Sequence, residues 1–519
     1  MSRARMSWAT IMILVVFSAC VEEQLDPEED FAFEIIDDGN AVKITGYVGT
    51  NTEVRIPRRI LGNSVTHIGD VAFAGNQLTN IVIPGSVTHI GDGAFWDNQL
   101  ANIVIPGSVT HIGDGAFWDN QLTNIVIGNG VTHIGDSAFR DNQIASIVIP
   151  DSVTHIGDSA FWDNQLTNIA IGNGVTHIGG WAFRDNQIAS IVIPDSVTHI
   201  GDNAFRGNQL TNIAIGNGVT HIGDSAFRGN QLTNITIGNG VTHIGGGAFE
   251  DNQLTNIVIP DSVTHIGNNA FLNNQLASVV IGNSVTHIGD GAFRGSRWDT
   301  ENWEWLDGRG NLTSVTIGNS VFHIGRDAFM DNQIANIVIP DNVTAIGYNA
   351  FRNNQITNAI IPSNISIGWG AFYRNPLANI ALGSNVELPE RYLVFDNDIQ
   401  RFIRSNNVRA GTYTHSNGRW SFSLPEFPAI SGNSLANTVW ENSENDTVIR
   451  FGETSFSLTS VDRWGHSSSL AGSYTINGDL VTLNFGAGVG KALGAEEIMG
   501  AITGNLMTLT LFGEFARIQ

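Results

Sequence analysis

Eleven histidines stand at intervals of 22 residues, at His67, His89, His111, His133, His155, His177, His199, His221, His243, His265 and His287. Each sits in the segment VTHIG. An aspartate follows three residues on in several copies, as at Asp92, Asp114 and Asp136, and an asparagine nine residues on, as at Asn76, Asn98 and Asn120. Imidazoles bind zinc-like ions and gain charge just below neutral pH. Carboxylates in a row attract cations or cap short helical turns. Recurrence weighs against catalysis, because an active site is a single convergence of nucleophile, base and oxyanion donors. No G-x-S-x-G, H-E-x-x-H or phosphate-loop motif is present. The reading is therefore of a protein that is not an enzyme, with no catalytic residue and no cofactor. A structural zinc needs about four converging ligands and a linear row offers two, so no metal is assigned. The histidines read as an exposed polar row, the aspartates as caps, and the asparagines as buried groups that satisfy backbone of neighbouring turns.

The elements that must position these residues follow from the period, since self-similarity at such a spacing is the mark of a solenoid. In one copy the apolar positions are Leu100, Ile103, Ile105, Val109, Ile112, Ala116 and Phe117. Leu100-x-x-Ile103-x-Ile105 has the alternation of a half-buried strand. Val109 and Ile112 belong to a second extended piece, and Ala116-Phe117 to a tight helical turn. No single turn buries its own apolar face, so stacking supplies the core.

The pattern IxIPxSVTxIGxxAFxxNxL resembles the BspA-like leucine-rich repeat of bacterial surface proteins, over roughly residues 31–383. FAFEIIDDGNAVKITGYVGTNTEVRIP is similar to that family's N-terminal hairpin. The resemblance implies a cell-surface solenoid of about 14 turns of 22 residues. The expected organisation is a signal peptide over 1–20, an acidic tether over 21–30, a cap hairpin over 31–60, the solenoid over 61–383, a C-terminal cap over 384–429 and a small domain over 430–519. In the cap, LPERYLVFDNDIQRFIRSNN reads as a closing helix and GTYTHSNGRWSFS as a hairpin around Asn417-Gly418. The last ninety or so residues hold eight short apolar or alternating segments, the pattern of a small antiparallel β-barrel or sandwich. They resemble the lipocalin-like modules at the ends of bacterial lipoproteins. The fold class is thus mainly β throughout.

The chain of 519 residues carries a net charge of −24, 58 glycines, 13 prolines and one cysteine. So acidic a surface disfavours nucleic acid as a partner. The start, MSRARMSWATIMILVVFSAC, has two arginines, a short apolar run and small residues before Cys20, the layout of a secretory signal. FSAC resembles a bacterial lipobox, which implies lipidation at Cys20 and attachment to a membrane. Phe17 stands where that motif usually has Leu, and Val21 lacks the aspartate that marks inner-membrane retention in some bacteria. The expectation is a lipid-anchored protein of the outer membrane or cell surface.

Distinct residues appear where the copies differ. The position after Ala-Phe holds Trp96, Trp118, Arg140, Trp162, Arg184, Arg206, Arg228, Glu250, Leu272 and Arg294. Trp and Arg dominate binding hot spots and also stack on one another along such a row. One insertion, SRWDTENWEWLDGRG over 296–310, breaks the period. Insertions in solenoids become loops on one face. Trp298, Trp303 and Trp305 alternate there with acids such as Asp299 and Glu301, a composition suited to sugar rings or protein pockets. Trp298, Trp303, Trp305, Asp299 and Glu301 are therefore the leading ligand-binding candidates, with Trp96, Trp118 and Trp162 beside them. The expected function is adhesin-like binding of an extracellular protein or polysaccharide. A structural spacer or self-associating scaffold displaying the C-terminal domain, and a periplasmic small-ligand module, remain as alternatives.

Overall fold

The computed structural model describes residues 25–295, 298–299, 304–305, 310–389 and 393–423, and eight later strands between 439 and 517. These fall into two units. The first runs through Ile356 and includes Ile365–Asn375 and Leu388–Asp396; the second comprises Thr357–Asn364, Pro376–Glu387 and the chain from Asn397 on.

In the first unit the turns build two parallel rows, a continuous one of short His-Ile strands and a second, of Ile-x-Ile strands, that falls into several short sheets. Asn102–Ile105 pairs in parallel with Asn124–Ile127, setting Val126 beside Val104. Ile103 and Ile105 point inward at 3% and 1% exposure while Val104 between them is 62% exposed, the alternation that fixes strand register. On the other row His111–Ile112 lies between His89–Ile90 and His133–Ile134. Ile112 is buried and His111 exposed. A Cβ on Gly113 would collide with the backbone of Gly91 and Asp92, so only glycine lets consecutive turns approach at that bend. Two residues per turn take left-handed backbone, as Gly115 (φ 58°) and Asp119 (φ 54°) do, and Gly, Asn, Asp and Ser are common there.

The core is a column of phenylalanines. Fifteen rings, from Phe73 to Phe395, stack with centroids 5.0–5.6 Å apart. Burying each ring stabilises the fold by roughly 1.5–3 kcal/mol, and each stacked contact adds about 1 kcal/mol. The repeat legible in the sequence ends at Phe372, whereas Phe395 continues the column 5.6 Å beyond it and gives a fifteenth turn. That turn escapes a sequence reading because LPERYLVFDN has no VTHIG before it and Val394 replaces the usual alanine. At the other end Phe31–Ile36 and Ala41–Tyr47 form an antiparallel hairpin whose second strand pairs in parallel with Asn63–Ile68. Phe31 and Tyr47 rest on the outer face of Phe73, at 6.2 and 5.7 Å.

In the second unit Asn358–Ile361 and Asn379–Leu382 are parallel, and Gly411–Ser416 and Arg419–Ser423 extend them antiparallel. The hairpin turns at Asn417 and Gly418, both with positive φ, as a two-residue loop requires. Its Tyr413 is fully buried and donates its hydroxyl proton to the Arg409 carbonyl, at 2.8 Å. The helix expected over the whole of LPERYLVFDNDIQRFIRSNN occupies only Asn397–Ser405, because the preceding residues form the fifteenth turn. The eight strands from Val439–Asn442 to Gly513–Arg517 pair antiparallel in chain order, and the first also pairs with the last through Trp440 and Arg517. Among the described residues no helix is long and apolar enough to cross a membrane.

Candidate functional site

The histidines form one ladder. From His89 to His287 ten imidazoles stack nearly parallel, with centroids 4.7–5.6 Å apart and planes within 15° of one another. The spacing is that of neighbouring parallel strands. At the far end the order breaks: Phe322 meets His287 edge-on at 4.2 Å, and His323 is tilted by 53°. Each Nδ1 lies close to the hydroxyl of the threonine before it, as in Thr110 with His111 at 3.0 Å and Thr132 with His133 at 2.9 Å. Partial burial, and then the charge of neighbouring imidazoles, holds His133, His177 and His243 below the ordinary histidine range. The ladder forms one wall of an open groove of about 850 Å³, floored by Ile-Gly backbone and bounded opposite by Asp92, Asp114, Asp136 and Asp158.

Those aspartates do something other than cap their own turns. Asp92 Oδ1 accepts the N–H of Asp114, Asp114 Oδ1 that of Asp136, and Asp136 Oδ1 that of Asp158, at 2.7–2.9 Å. The carboxylate stitches one turn to the next. Where Gly180 and Gly246 interrupt the row they still donate their N–H to Asp158 and Asp224. The asparagines stitch in the opposite direction. Asn142 is 7% exposed; its Nδ2 donates to the carbonyls of Phe117 and Phe139, and its Oδ1 accepts the N–H of Leu122. Among the described residues no group of three or more His, Cys, Asp or Glu converges to hold a metal ion.

The variable position after Ala-Phe forms a third ladder. Trp96 stacks on Trp118 at 5.5 Å, and Arg140 lies between Trp118 and Trp162 at 5.4 and 3.9 Å from their ring centroids. Arg184 covers the far side of Trp162 at 5.1 Å. The indole N–H groups of Trp118 and Trp162 donate to Asp141 and Asp185. Trp118 and Trp162 are thus engaged with their own solenoid, while Trp96 is 41% exposed and the preceding turn offers it only Ala74. Further along, Glu250 meets Arg228 at 3.1 Å, and its burial pushes the carboxyl up to about 7.

The strand row presents a different surface. Val104, Val126, Val148, Val258 and Val338 are 53–66% exposed at equivalent outward strand positions, and Val192, 76% exposed, stands at the same point of its turn. A shallow groove of about 550 Å³ runs along this face, lined by Val126, Val148, Ala170 and the polar Ser146 and Asn168. These residues are absent from the candidates singled out by sequence, because a small apolar side chain between two core isoleucines carries no chemical signal of its own.

The repeats match the family model described as BspA type Leucine rich repeat region (6 copies) over residues 66–189, 176–298 and 306–418. The chain belongs to the BspA-type leucine-rich-repeat family. Similar solved structures include a leucine rich cell surface protein of Faecalibacterium prausnitzii, 25% identical, covering 74% of this chain and 98% of that one with a TM-score of 0.42. A leucine-rich repeat protein of Bacteroides ovatus is 23% identical over 68% of this chain and 92% of its own, with a TM-score of 0.43. The pneumococcal vaccine antigen PcpA is 16% identical over 62% and 93%, with a TM-score of 0.34. No curated protein matches.

In this BspA-type solenoid the insertion leaves at Gly295 and returns at Gly310, on the corner that also carries the Trp/Arg ladder. Gly310 donates its N–H to Asp331, and a Cβ there would strike Gly295, so two glycines close the stem of the loop. Trp298–Asp299 and Glu304–Trp305 pair as short antiparallel strands with Trp298 opposite Trp305. Glu301 and Trp303 lie outside the described residues, as do Cys20 and the rest of the N-terminal segment.

Proposed function

We propose that this BspA-type protein is a lipid-anchored cell-surface adhesin that binds a protein partner across its strand row. The observation that carries the reading is the predominance of small apolar residues at the exposed position, with valines up to 76% exposed, alanine at Ala170 and Ala214 and threonine only at Thr236 and Thr316, in a chain of net charge −24. A soluble acidic surface that keeps so apolar a stripe has a use for it. Aliphatic side chains without rings suit the apolar side chains of a protein better than the faces of sugars, for which aromatic platforms serve. Asn and Ser beside the stripe supply a polar rim. The insertion over 296–310 is the second contact, its indoles anchoring a partner that the stripe receives along its length. Lipidation at Cys20 holds the protein on the outer membrane or cell surface, and the C-terminal strands form a lipocalin-like barrel of separate role.

The test is surface plasmon resonance of the full chain over immobilised extracellular-matrix proteins and polysaccharides. The triple variant Val104→Lys, Val126→Lys, Val148→Lys and a deletion of 296–310 run beside it. Saturable binding to a protein, lost in the triple variant and weakened by the deletion, supports the reading. Binding only to polysaccharide, or equal binding by the triple variant, removes the stripe as the site. Absence of any binding leaves a spacer or self-associating scaffold as the better account.

A further inference from the structure

The threonine beside each histidine decides which ring nitrogen carries the proton. Thr110 Oγ1 lies 3.2 Å from the Thr88 carbonyl, Thr132 Oγ1 3.0 Å from that of Thr110, and Thr154 Oγ1 3.1 Å from that of Thr132. The same contact recurs through Thr286. A carbonyl has no proton to give, so the hydroxyl donates its single proton to it. The hydroxyl oxygen is then left as an acceptor toward the imidazole, and the short contact at Nδ1 requires Nδ1–H. This assignment follows from the hydrogen-bond network. Its consequence is uniform: along the ladder the neutral ring is the Nδ1–H tautomer, and every Nε2 is left with a free lone pair.

We propose that the ladder from His89 to His287 is a row of exchangeable sites for first-row divalent transition ions such as Zn²⁺ and Ni²⁺, each held by the Nε2 atoms of two adjacent turns and by water. Neutral imidazole is the ligand these ions favour, and a second hydrogen bond at the opposite nitrogen is what orients and strengthens it. Here that second bond is supplied by threonine in every turn. Rings 4.7–5.6 Å apart stand slightly too far for two bonds of about 2.1 Å to one ion. Parallel rings aim their Nε2 lone pairs side by side, so a shared ion requires the two exposed side chains to turn toward each other by tens of degrees about their own rotatable bonds. Two protein ligands with the remainder water make weak, replaceable sites, in keeping with the absence of three-ligand clusters among the described residues. The carboxylates of Asp92, Asp114, Asp136 and Asp158 across the groove raise the local cation concentration without needing to bind directly. His67 continues the row at its first end, stacked on His89 at 4.5 Å and 7°, with the cation of Lys43 near it, whereas the His323 ring is tilted by 53° at the other end. Ten imidazoles make five adjacent pairs, so up to five ions are expected per chain. An ion spanning two turns also clamps them, so loading raises thermal stability.

Isothermal titration of the full chain with Zn²⁺, beside Ca²⁺ as a hard-ion control, tests this directly. The decisive variant is His89→Gln, His133→Gln, His177→Gln, His221→Gln, His265→Gln, His323→Gln, which keeps alternate imidazoles of the row but leaves none with a histidine on the next turn. Wild type is expected to take up several Zn²⁺ ions and to melt at higher temperature with them, and the variant to lose both effects while its circular dichroism stays the same. Retention of half the ions by the variant would show independent single-histidine binding and overturn the paired site. Equal uptake of Ca²⁺ would assign the ions to the aspartates and overturn it too, as would no saturable Zn²⁺ uptake by wild type. A second arm tests the positioning role of threonine. Thr110→Val, Thr154→Val, Thr198→Val should weaken Zn²⁺ about tenfold and give mixed tautomers in imidazole ¹⁵N spectra. Thr→Ser at the same positions should restore both. An unchanged affinity and an unchanged ¹⁵N spectrum in the valine variant would refute the tautomer assignment.

Discussion

The Arg140 guanidinium lies 3.9 Å from the centroid of the Trp162 ring and 5.4 Å from that of Trp118. One cation is thereby shared between two indoles from the turns on either side of it. The pairing resolves what Trp and Arg do at a position that varies from copy to copy: where they alternate, they glue consecutive turns along the corner of the solenoid. Arg140→Lys keeps the charge and loses the flat face that stacks. The expected cost is about 1 kcal/mol, measured by urea unfolding followed through tryptophan emission, with a red shift of that emission as the indoles become wetter. A variant as stable as wild type, with the same emission, would mean the stacking contributes nothing.

The asparagine ladder should be far less forgiving. Asn142 both donates to two carbonyls and accepts from one N–H, all buried. Alanine orphans the buried Leu122 N–H, at roughly 1–3 kcal/mol, and takes one of two donors from the carbonyls of Phe117 and Phe139, which keep Asn120 and Asn164. Asn142→Asp keeps the acceptor and replaces the donor by a buried charge facing carbonyl oxygens, and is expected to be the worse of the two. Hydrogen exchange at the Leu122 amide gives the local reading: protection falls in Asn142→Ala and persists in Asn142→Asp if that chain folds.

Much of this was legible from residue types and spacing. Period, strand alternation and the phenylalanine column follow from apolar positions at fixed intervals, because a solenoid repeats its burial when it repeats its sequence. The use of Asn98 and its copies was readable for the same reason, since a buried amide in every turn has only neighbouring backbone to satisfy it. The aspartates were not. Asp92 before Ala94-Phe95 has the local appearance of a cap, and only the approach of the next turn shows its Oδ1 accepting the N–H of Asp114. The fifteenth turn was hidden because Val394-Phe395 keeps the core residue and discards the surface motif around it. The candidate sites divide similarly. Trp118 and Trp162 are singled out by type, yet what occupies their faces depends on Arg140 and Arg184 arriving from adjacent turns.

Trp181 occupies one of the left-handed positions, with φ of 53°, where equivalent turns carry Gly93, Gly115, Gly247 and Gly291. A bulky residue pays a steric penalty there that glycine avoids, roughly 1–2 kcal/mol, offset in part by the greater freedom of glycine in the unfolded chain. Trp181→Gly is therefore expected to stabilise the fold by about 0.5–1 kcal/mol in urea unfolding. Ser137→Gly, at φ 55° in another turn, should move in the same direction. A loss of stability in both would show that side-chain contacts at these positions outweigh backbone strain.

Glu250 gives the solenoid a pH dependence of definite sign. Burial pushes its carboxyl up to about 7, against the pull of Arg228, with Asp251 adding to the rise and Arg206 opposing it. Between the ordinary value of a glutamate, near 4.5, and about 7, the folded chain binds this proton more readily than the unfolded chain does. Stability contributed at this position is therefore greatest below pH 4.5, falls as pH rises through that interval and is level above it. Glu250→Gln removes the titration while keeping a side chain of the same shape beside Arg228. Relative to wild type, the variant is expected to gain a few degrees in melting temperature on passing from pH 5 to pH 8, with the difference between the two proteins tracing the titration of this one carboxyl. Comparing the two proteins cancels the contribution of the histidine ladder, which is common to both. A difference in melting temperature that does not change with pH would place the Glu250 carboxyl in its ordinary range and make its contact with Arg228 a simple surface ion pair.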